Sequence, residues 1–199
     1  MRANNKKLLL LPGDGIGVEV CDEVKRLIDF LGAEHALNFS IQEALVGGSC
    51  YDKHKVAITD ETLADAIAAD AVLLGAVGGP QYDQVPRHAR PEAGLLRLRA
   101  DMDLFANLRP AITFDALLDA SSLKPEVVQG MDILIVRELT AGVYFGKPRG
   151  MQTTDDGGER CIDTQSYTKD EIIRVAEVAF ELARQRKSCL HSVEKANVM

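Results

Sequence analysis

Three arginines and two adjacent leucines carry the clearest chemistry in this chain. Glu92 to Pro110 reads EAGLLRLRADMDLFANLRP, and a Val-Arg-Glu follows at residues 136–138. Arg99, Arg109 and Arg137 offer planar guanidinium forks, which suit bidentate binding of carboxylates. Leu95 and Leu96 suit a branched aliphatic group. A small dicarboxylate with an alkyl side chain would satisfy both. By residue type alone, a solvated or structurally paired arginine and a helix-core leucine remain open readings. Arg109, between Leu108 and Pro110, and Arg137, after the apolar run Ile133 to Val136, stand in apolar contexts where a charge needs a partner. Arg97 reads as solvated.

The elements that must position these residues follow from periodicity. Lys7 to Leu11 reads as a strand that stops at Pro-Gly-Asp-Gly-Ile-Gly, and Val18, Val20, Val24, Leu27, Ile28 and Leu31 recur at helical spacing. Phe39 to Leu45 reads as a second strand. Thr59, followed by Asp60 and Glu61, predicts a capped helix to about Ala69, with a buried strand from Ala71 to Val77. Pro91 opens a helix carrying Leu95, Leu96 and Leu98, and the same helix is expected to include Asp101 and Asp103. Ile133 to Val136 reads as a strand. Thr168 and Glu171 form a capping-box signature ahead of Ile172, Ile173, Ala176, Ala179, Leu182 and Ala183. Arg184, Arg186 and Lys187 close that helix. Thr153 to Gly158 is a loop or hairpin tip, and Ser192 to Met199 reads as an emerging strand. Alternating strands and helices predict an α/β fold with a largely parallel sheet.

Bulk composition narrows the class. Of the 199 residues 46% are apolar and 27% charged, ordinary for a soluble globular protein. A net charge of −7 argues against non-specific nucleic-acid binding. Cys21, Cys50, Cys161 and Cys189 lack Cys-x-x-Cys spacing, which predicts reduced thiols rather than a disulfide framework or a zinc site. The apolar run Leu8 to Leu11 is too short for a signal peptide, and no stretch reaches membrane-spanning length. A cytoplasmic location, without membrane or nucleic-acid partners, is expected.

Gly13-Asp-Gly-Ile-Gly17 follows a strand and precedes a helix, yet it is not a dinucleotide fingerprint. The position three after Gly15 is Val18. On composition, a strand-to-helix turn is the plainer reading of this loop and of a second one, Gly75-Ala-Val-Gly-Gly-Pro80. Taken with the arginine and leucine motifs, however, PGDGIG resembles the opening of the isocitrate/isopropylmalate dehydrogenase family, metal-dependent decarboxylating dehydrogenases that bind NAD without that fingerprint. Val18 stands where the family usually has proline.

The resemblance runs along the whole chain and implies a good deal. It implies a non-Rossmann mixed sheet in two domains, each incomplete here: residues 1–105 from the larger cofactor and substrate domain, residues 106–199 from the smaller dimerisation domain. It implies NAD-dependent oxidation and decarboxylation of 3-isopropylmalate, as part of leucine biosynthesis. Arg99, Arg109 and Arg137 match the carboxylate-binding arginines, and Leu95 and Leu96 the positions that contact the isopropyl group. Tyr144 matches the general acid of the decarboxylation step, and Lys195 the lysine that helps take the hydroxyl proton. Ile16, Gly79, Pro80, Gln81, Tyr82, Pro91, Glu92 and Asn197 fall at cofactor-contact positions.

A homodimer is implied, with an arm at about 139–163 clasping the partner and Lys195 reaching the partner's site. The metal, Mg2+ or Mn2+, would be held by aspartates in a further half that this sequence does not contain. Asp155 and Asp156 lie in a polar loop, and Asp101 and Asp103 are two apart on the predicted helix, so neither pair substitutes. The expected chain is therefore an N-terminal portion of such an enzyme. Two alternatives stand beside it: a non-catalytic dimerising or regulatory chain of the same fold, and a related dehydrogenase for another 2-hydroxy dicarboxylate such as isocitrate, homoisocitrate or tartrate. Leu95 and Leu96 speak against isocitrate, whose additional carboxylate would want a polar position there.

Overall fold

The computed structural model describes residues 5–35 and 37–197. The chain divides into two compact units, one through Asp103 and one from Leu104. The first contains β1 (Lys6–Gly13), α1 (Ile16–His35), β2 (Phe39–Glu43), α2 (Gly48–His54), α3 (Asp60–Ala68), β3 (Ala71–Ala76) and α4 (Pro91–Asp101). Its sheet is parallel with the order β2-β1-β3, and Leu8 pairs Ile41 on one side and Ala71 on the other. The leucine run explains the central place of β1. A strand flanked on both sides reads as a continuous apolar run, and Leu9, Leu10 and Leu11 are all at or below 1% exposure. Leu9 and Leu11 share a core with Val46, Ile58, Leu63, Ala66 and Leu98.

Burial corrects the sequence reading in two places. β3 is an edge strand among the described residues, so Val72 to Ala76 are half-buried rather than buried. On α1 the inward stripe is Gly17, Cys21, Val24, Ile28 and Leu31, while Val20 and Leu27 lie on an outer face and are exposed. Two apolar stripes overlap in that sequence, and spacing could not separate them. α2 went unpredicted because Gly48 to His54 has no apolar periodicity. α3 starts as expected, with Thr59 Oγ1 accepting from the Thr62 amide at 3.1 Å.

The second unit holds β4 (Ala106–Ile112), α5 (Pro125–Val128), β5 (Asp132–Glu138), β6 (Arg149–Thr153), β7 (Glu159–Asp163) and α6 (Lys169–Arg184). Both of its sheets are antiparallel pairs, β4-β5 and β6-β7. The predicted parallel arrangement therefore holds only in the first unit. The β6-β7 hairpin turns through residues 154–158, with Thr153 opposite Glu159. α6 begins in a reciprocal capping box: the Thr168 amide donates to Glu171 Oε2 at 2.7 Å, and the Glu171 amide to Thr168 Oγ1 at 3.3 Å.

Two further expectations fail locally. α4 ends at Asp101, and Asp103 sits beyond it with φ +50°, so the two aspartates do not share a helix. The stretch after α6 is not a strand up to Asn197, since it finds no sheet to pair with, and Val193 is 94% exposed. Val198 and Met199 of that expected strand lie outside the described residues. Among the described residues no helix is long and apolar enough to cross a membrane.

Candidate functional site

In the first unit the candidate residues gather on α4 and on the loop before it. Glu92, Leu95, Leu96 and Arg99 follow the i, i+3, i+4, i+7 pattern and share one face of the helix. Beside that face runs the buried stripe Pro91, Gly94 and Leu98, where Gly94 lets the helix approach the Ala57 carbonyl. Leu95, Leu96 and Arg99 are half-buried, so Leu98 is the leucine that belongs to the core and the adjacent pair is left at its margin. Arg97 points elsewhere. It is exposed, as expected, and is also ion-paired on the surface to Asp60 at 2.6 Å and Asp101 at 3.2 Å.

The glycine loop after β3 makes a 3-10 turn at Pro80–Tyr82. Pro80 and Gln81 are exposed, and so is Ile16 at 64%, at the start of α1. Glu92 Oε1 stands 3.0 Å from where a Cβ on Gly78 would lie, which sets this carboxylate over the loop. Tyr82 and Pro91 are buried by the protein itself and support the loop from beneath. Burial pushes the Tyr82 phenol up, and its hydrogen bond to Asp52 pushes in the same direction. Arg90 ties the following turn through the carbonyls of Val85 and Asp83, at 3.0 and 2.7 Å.

In the second unit, the β4-β5 register sets Asn107 opposite Arg137 and Arg109 opposite Ile135. Arg109 and Arg137 therefore share one face as diagonal neighbours, within reach of one another for long side chains. Both are exposed. Of the apolar context that singled them out in sequence, Ile133 and Ile135 share the arginines' exposed face, while Leu108, Leu134 and Val136 lie on the opposite one, where Leu134, Val136 and Glu138 are partly covered and Arg174 of α6 lies 3.9 Å from Glu138. Tyr144 comes to the same arginine: Arg137 Nη2 donates to its hydroxyl oxygen at 3.2 Å, with the guanidinium carbon 5.3 Å from the ring centroid.

Two side chains hold the turn that carries Tyr144. The Glu138 carboxylate accepts from the Thr140 amide at 3.0 Å, the Thr140 hydroxyl at 2.9 Å and the Ala141 amide at 2.9 Å. Arg149 donates to the carbonyls of Tyr144 and Val143, at 2.7 and 2.8 Å, and is itself fixed by Asp163 across the β6-β7 hairpin. Sequence reasoning passed over these roles of Glu138 and Arg149 because most of their partners are backbone groups, which leave no motif.

Lys195 and Asn197 are exposed in the irregular stretch beyond α6, and no hydrogen bond or ion pair among the described residues ties either to Arg137. No group of three or more His, Cys, Asp or Glu among the described residues could hold a metal ion. The present residues therefore do not fit a divalent cation on their own. All four cysteines are free. Burial raises the thiol pKa of Cys21 and Cys50, which makes them poor nucleophiles.

A model of the isocitrate/isopropylmalate dehydrogenase family matches residues 7–199. The chain belongs to this family. It is 62% identical over 193 residues to a 3-isopropylmalate dehydrogenase of Nitrobacter winogradskyi, covering 97% of this chain and 52% of that protein. A 3-isopropylmalate dehydrogenase of Agrobacterium fabrum is 59% identical over 194 residues, again with 52% of its length covered. The chain thus spans about half the length of the curated relatives it matches. Among solved structures, a beta-decarboxylating dehydrogenase from Thermococcus kodakarensis is 29% identical with a TM-score of 0.67, covering 98% of this chain and 50% of that one. The isocitrate dehydrogenase of Methylococcus capsulatus, at 24% identity and a TM-score of 0.69, shares the fold over 90% of this chain and 48% of its own. For this family member the α/β architecture expected from its motifs is the one observed.

Proposed function

We propose that this chain carries the N-terminal half of an NAD-dependent 3-isopropylmalate dehydrogenase, which converts 3-isopropylmalate to 4-methyl-2-oxopentanoate in leucine biosynthesis. The observation that carries the reading is the face of the β4-β5 hairpin, where Arg109 and Arg137 stand together and Tyr144 touches Arg137. Two guanidinium groups at that spacing suit the two carboxylates of a small 2-hydroxy dicarboxylate. On the first unit, Leu95 and Leu96 offer an apolar margin for the isopropyl group, and Arg99 adds a third cation on the same helix face.

The reaction asks for three things: held carboxylates, removal of the hydroxyl proton, and protonation of the enolate left when carbon dioxide departs. The arginines meet the first. Lys195, as its free amine, is proposed to help take the hydroxyl proton in a partner subunit's site, and the Tyr144 phenol gives its proton to the enolate carbon. NAD would supply the hydride acceptor; Ile16, Gly79, Pro80, Gln81, Glu92 and Asn197 are the residues proposed to hold it, with Tyr82 and Pro91 supporting their loop from within the protein. No step is assigned to Mg2+ or Mn2+, because the described residues offer it no ligand set. The β6-β7 hairpin lies within the arm, residues 139–163, proposed to clasp a second subunit in a homodimer.

The deciding experiment follows NADH formation at 340 nm with 3-isopropylmalate, NAD and magnesium, for the chain alone and mixed with the C-terminal half of a relative. Activity that appears only in the mixture is the expected result. Equal inactivity in both favours a non-catalytic chain of the same fold. Faster turnover of isocitrate or tartrate than of 3-isopropylmalate would move the substrate assignment and keep the enzyme class.

A further inference from the structure

Asp14 is a charged residue sunk into the first unit, 7% exposed at the turn between β1 and α1. A carboxylate out of water is costly unless its oxygens are satisfied. Its partners are three backbone amides from distant segments: Gly48 at 2.7 Å, Ser49 at 2.7 Å and Gly78 at 2.8 Å. The Asp14 amide donates in turn to the Ala76 carbonyl at 2.6 Å. One side chain thereby joins the β1 turn, the start of α2 and the start of the glycine loop.

The other end of that loop is fastened to the same helix. The Tyr82 hydroxyl donates to Asp52 at 2.8 Å, and the Tyr82 ring packs against Gly48. The glycine doublet makes both ties possible. A Cβ on Gly47 would stand 2.5 Å from Asp14 Oδ2, and one on Gly48 2.0 Å from the Tyr82 ring. Between the two fastened ends lie Gly79, Pro80 and Gln81, of which Pro80 and Gln81 are exposed. Fixed ends with an open middle are what a precisely placed contact surface requires.

We infer that Asp14 and the Tyr82–Asp52 pair are positioning residues, which lock the loop 78–82 on α2 in the conformation it offers to the cofactor. The cofactor part of this inference rests on the dehydrogenase reading above. Plain core packing would not need a charge at Asp14 or a hydroxyl on Tyr82, since an apolar residue fills buried space at lower cost.

The test combines residue-resolved amide hydrogen exchange with NAD titration of the 199-residue chain, alone and mixed with the C-terminal half of a relative. Asp14→Asn keeps the shape, removes the charge and replaces one acceptor by a donor. Tyr82→Phe keeps the ring and removes only the hydroxyl. In Asp14→Asn the amides of Gly48, Ser49 and Gly78 should exchange on the order of tenfold faster or more, while protection in β1 and α3 is retained. Tyr82→Phe should loosen residues 79–82 by less. Both should weaken NAD binding, Asp14→Asn by roughly tenfold, whereas Ile58→Val, a core change in the same unit, should leave NAD affinity alone.

Unchanged exchange at Gly78 in Asp14→Asn overturns the clamp. A loosened loop with undiminished NAD affinity overturns its positioning role. A wild-type chain that binds no NAD in either setting counts against the dehydrogenase reading instead, and the exchange comparison then decides the clamp by itself.

Discussion

The glycine loop of the first unit and the arginine face of the second are held in opposite ways. The loop rests on a core and is fixed by a carboxylate whose partners lie 34, 35 and 64 residues away. The arginines project from the open face of a two-stranded pair, and the turn bearing Tyr144 is fixed by Glu138 through groups only 2 and 3 residues away. A three-stranded parallel sheet covered by helices buries its central strand on both faces. A two-stranded pair has little interior of its own, and Ile112, Ile133 and Ile135 stay about half exposed. The Tyr144 turn has distant ties as well, since Arg174 reaches the Thr140 hydroxyl at 2.6 Å and Arg149 reaches Asp163, but its carboxylate serves its own chain neighbours, whereas Asp14 alone joins three segments of its unit.

The largest expected effect tests the core side of that contrast. Leu10 is wholly buried in the central strand, so Leu10→Ala should cost about 2–5 kcal/mol, from lost transfer energy plus the cavity left behind. Ile133→Ala, at a side chain 51% exposed on the hairpin, should stay within about 0.5 kcal/mol. Urea unfolding of both variants measures the difference. Comparable losses would mean that the hairpin face is covered in solution and that the two units are buried alike.

A smaller effect should follow at Glu138, whose side chain is 10% exposed. Glu138→Gln retains one acceptor and loses the charge, at a cost of about 1–3 kcal/mol for the groups left unpaired. If the tie is local, only the Thr140 and Ala141 amides should gain exchange, with β4 and β5 protected as before. Exchange spreading through the β4-β5 ladder would show that this carboxylate, like Asp14, organises more than its own turn.

The contrast also explains what could be read from the sequence. Local rules were legible: Thr59 as a cap, Thr168 with Glu171 as a capping box, and the hairpin tip at residues 154–158 all depend on neighbours in the chain. The motif residues on α4 were legible too, because helical spacing places Glu92, Leu95, Leu96 and Arg99 on one face. Asp14 was visible only as part of a glycine-rich turn, for its partners at Gly48, Ser49 and Gly78 are backbone amides with no residue signature. The doublet Gly47–Gly48 was the available signal, and it acquires meaning only once Asp14 and Tyr82 are seen against it. The apolar context of Arg109 and Arg137 misled for a related reason: strand alternation put Leu108 and Val136 on the other face, and the isoleucines that share the arginines' face, Ile133 and Ile135, are themselves half exposed.

The smallest expected effect compares two exposed acids, one in each unit. The Lys6 ammonium, followed by the Lys7 amide, holds the Asp70 carboxyl below its ordinary 3.8. The Thr168 backbone amide, followed by its hydroxyl, holds Glu171 below 4.5. In both cases the folded state favours the ionised form, so each tie contributes fully above those ordinary values and is lost as pH falls through the depressed folded value. Acid titration followed by NMR should therefore show the start of α6 fraying below pH 4.5, and the Lys6 contact at the start of β1 loosening below 3.8. Salt separates the two. Added NaCl should weaken the tie of Asp70 to the Lys6 ammonium and spare the capping box, whose partners are a neutral amide and a hydroxyl. Equal salt sensitivity would mean that the nearby Arg174 charge, the least of the influences on Glu171, governs the helix start instead.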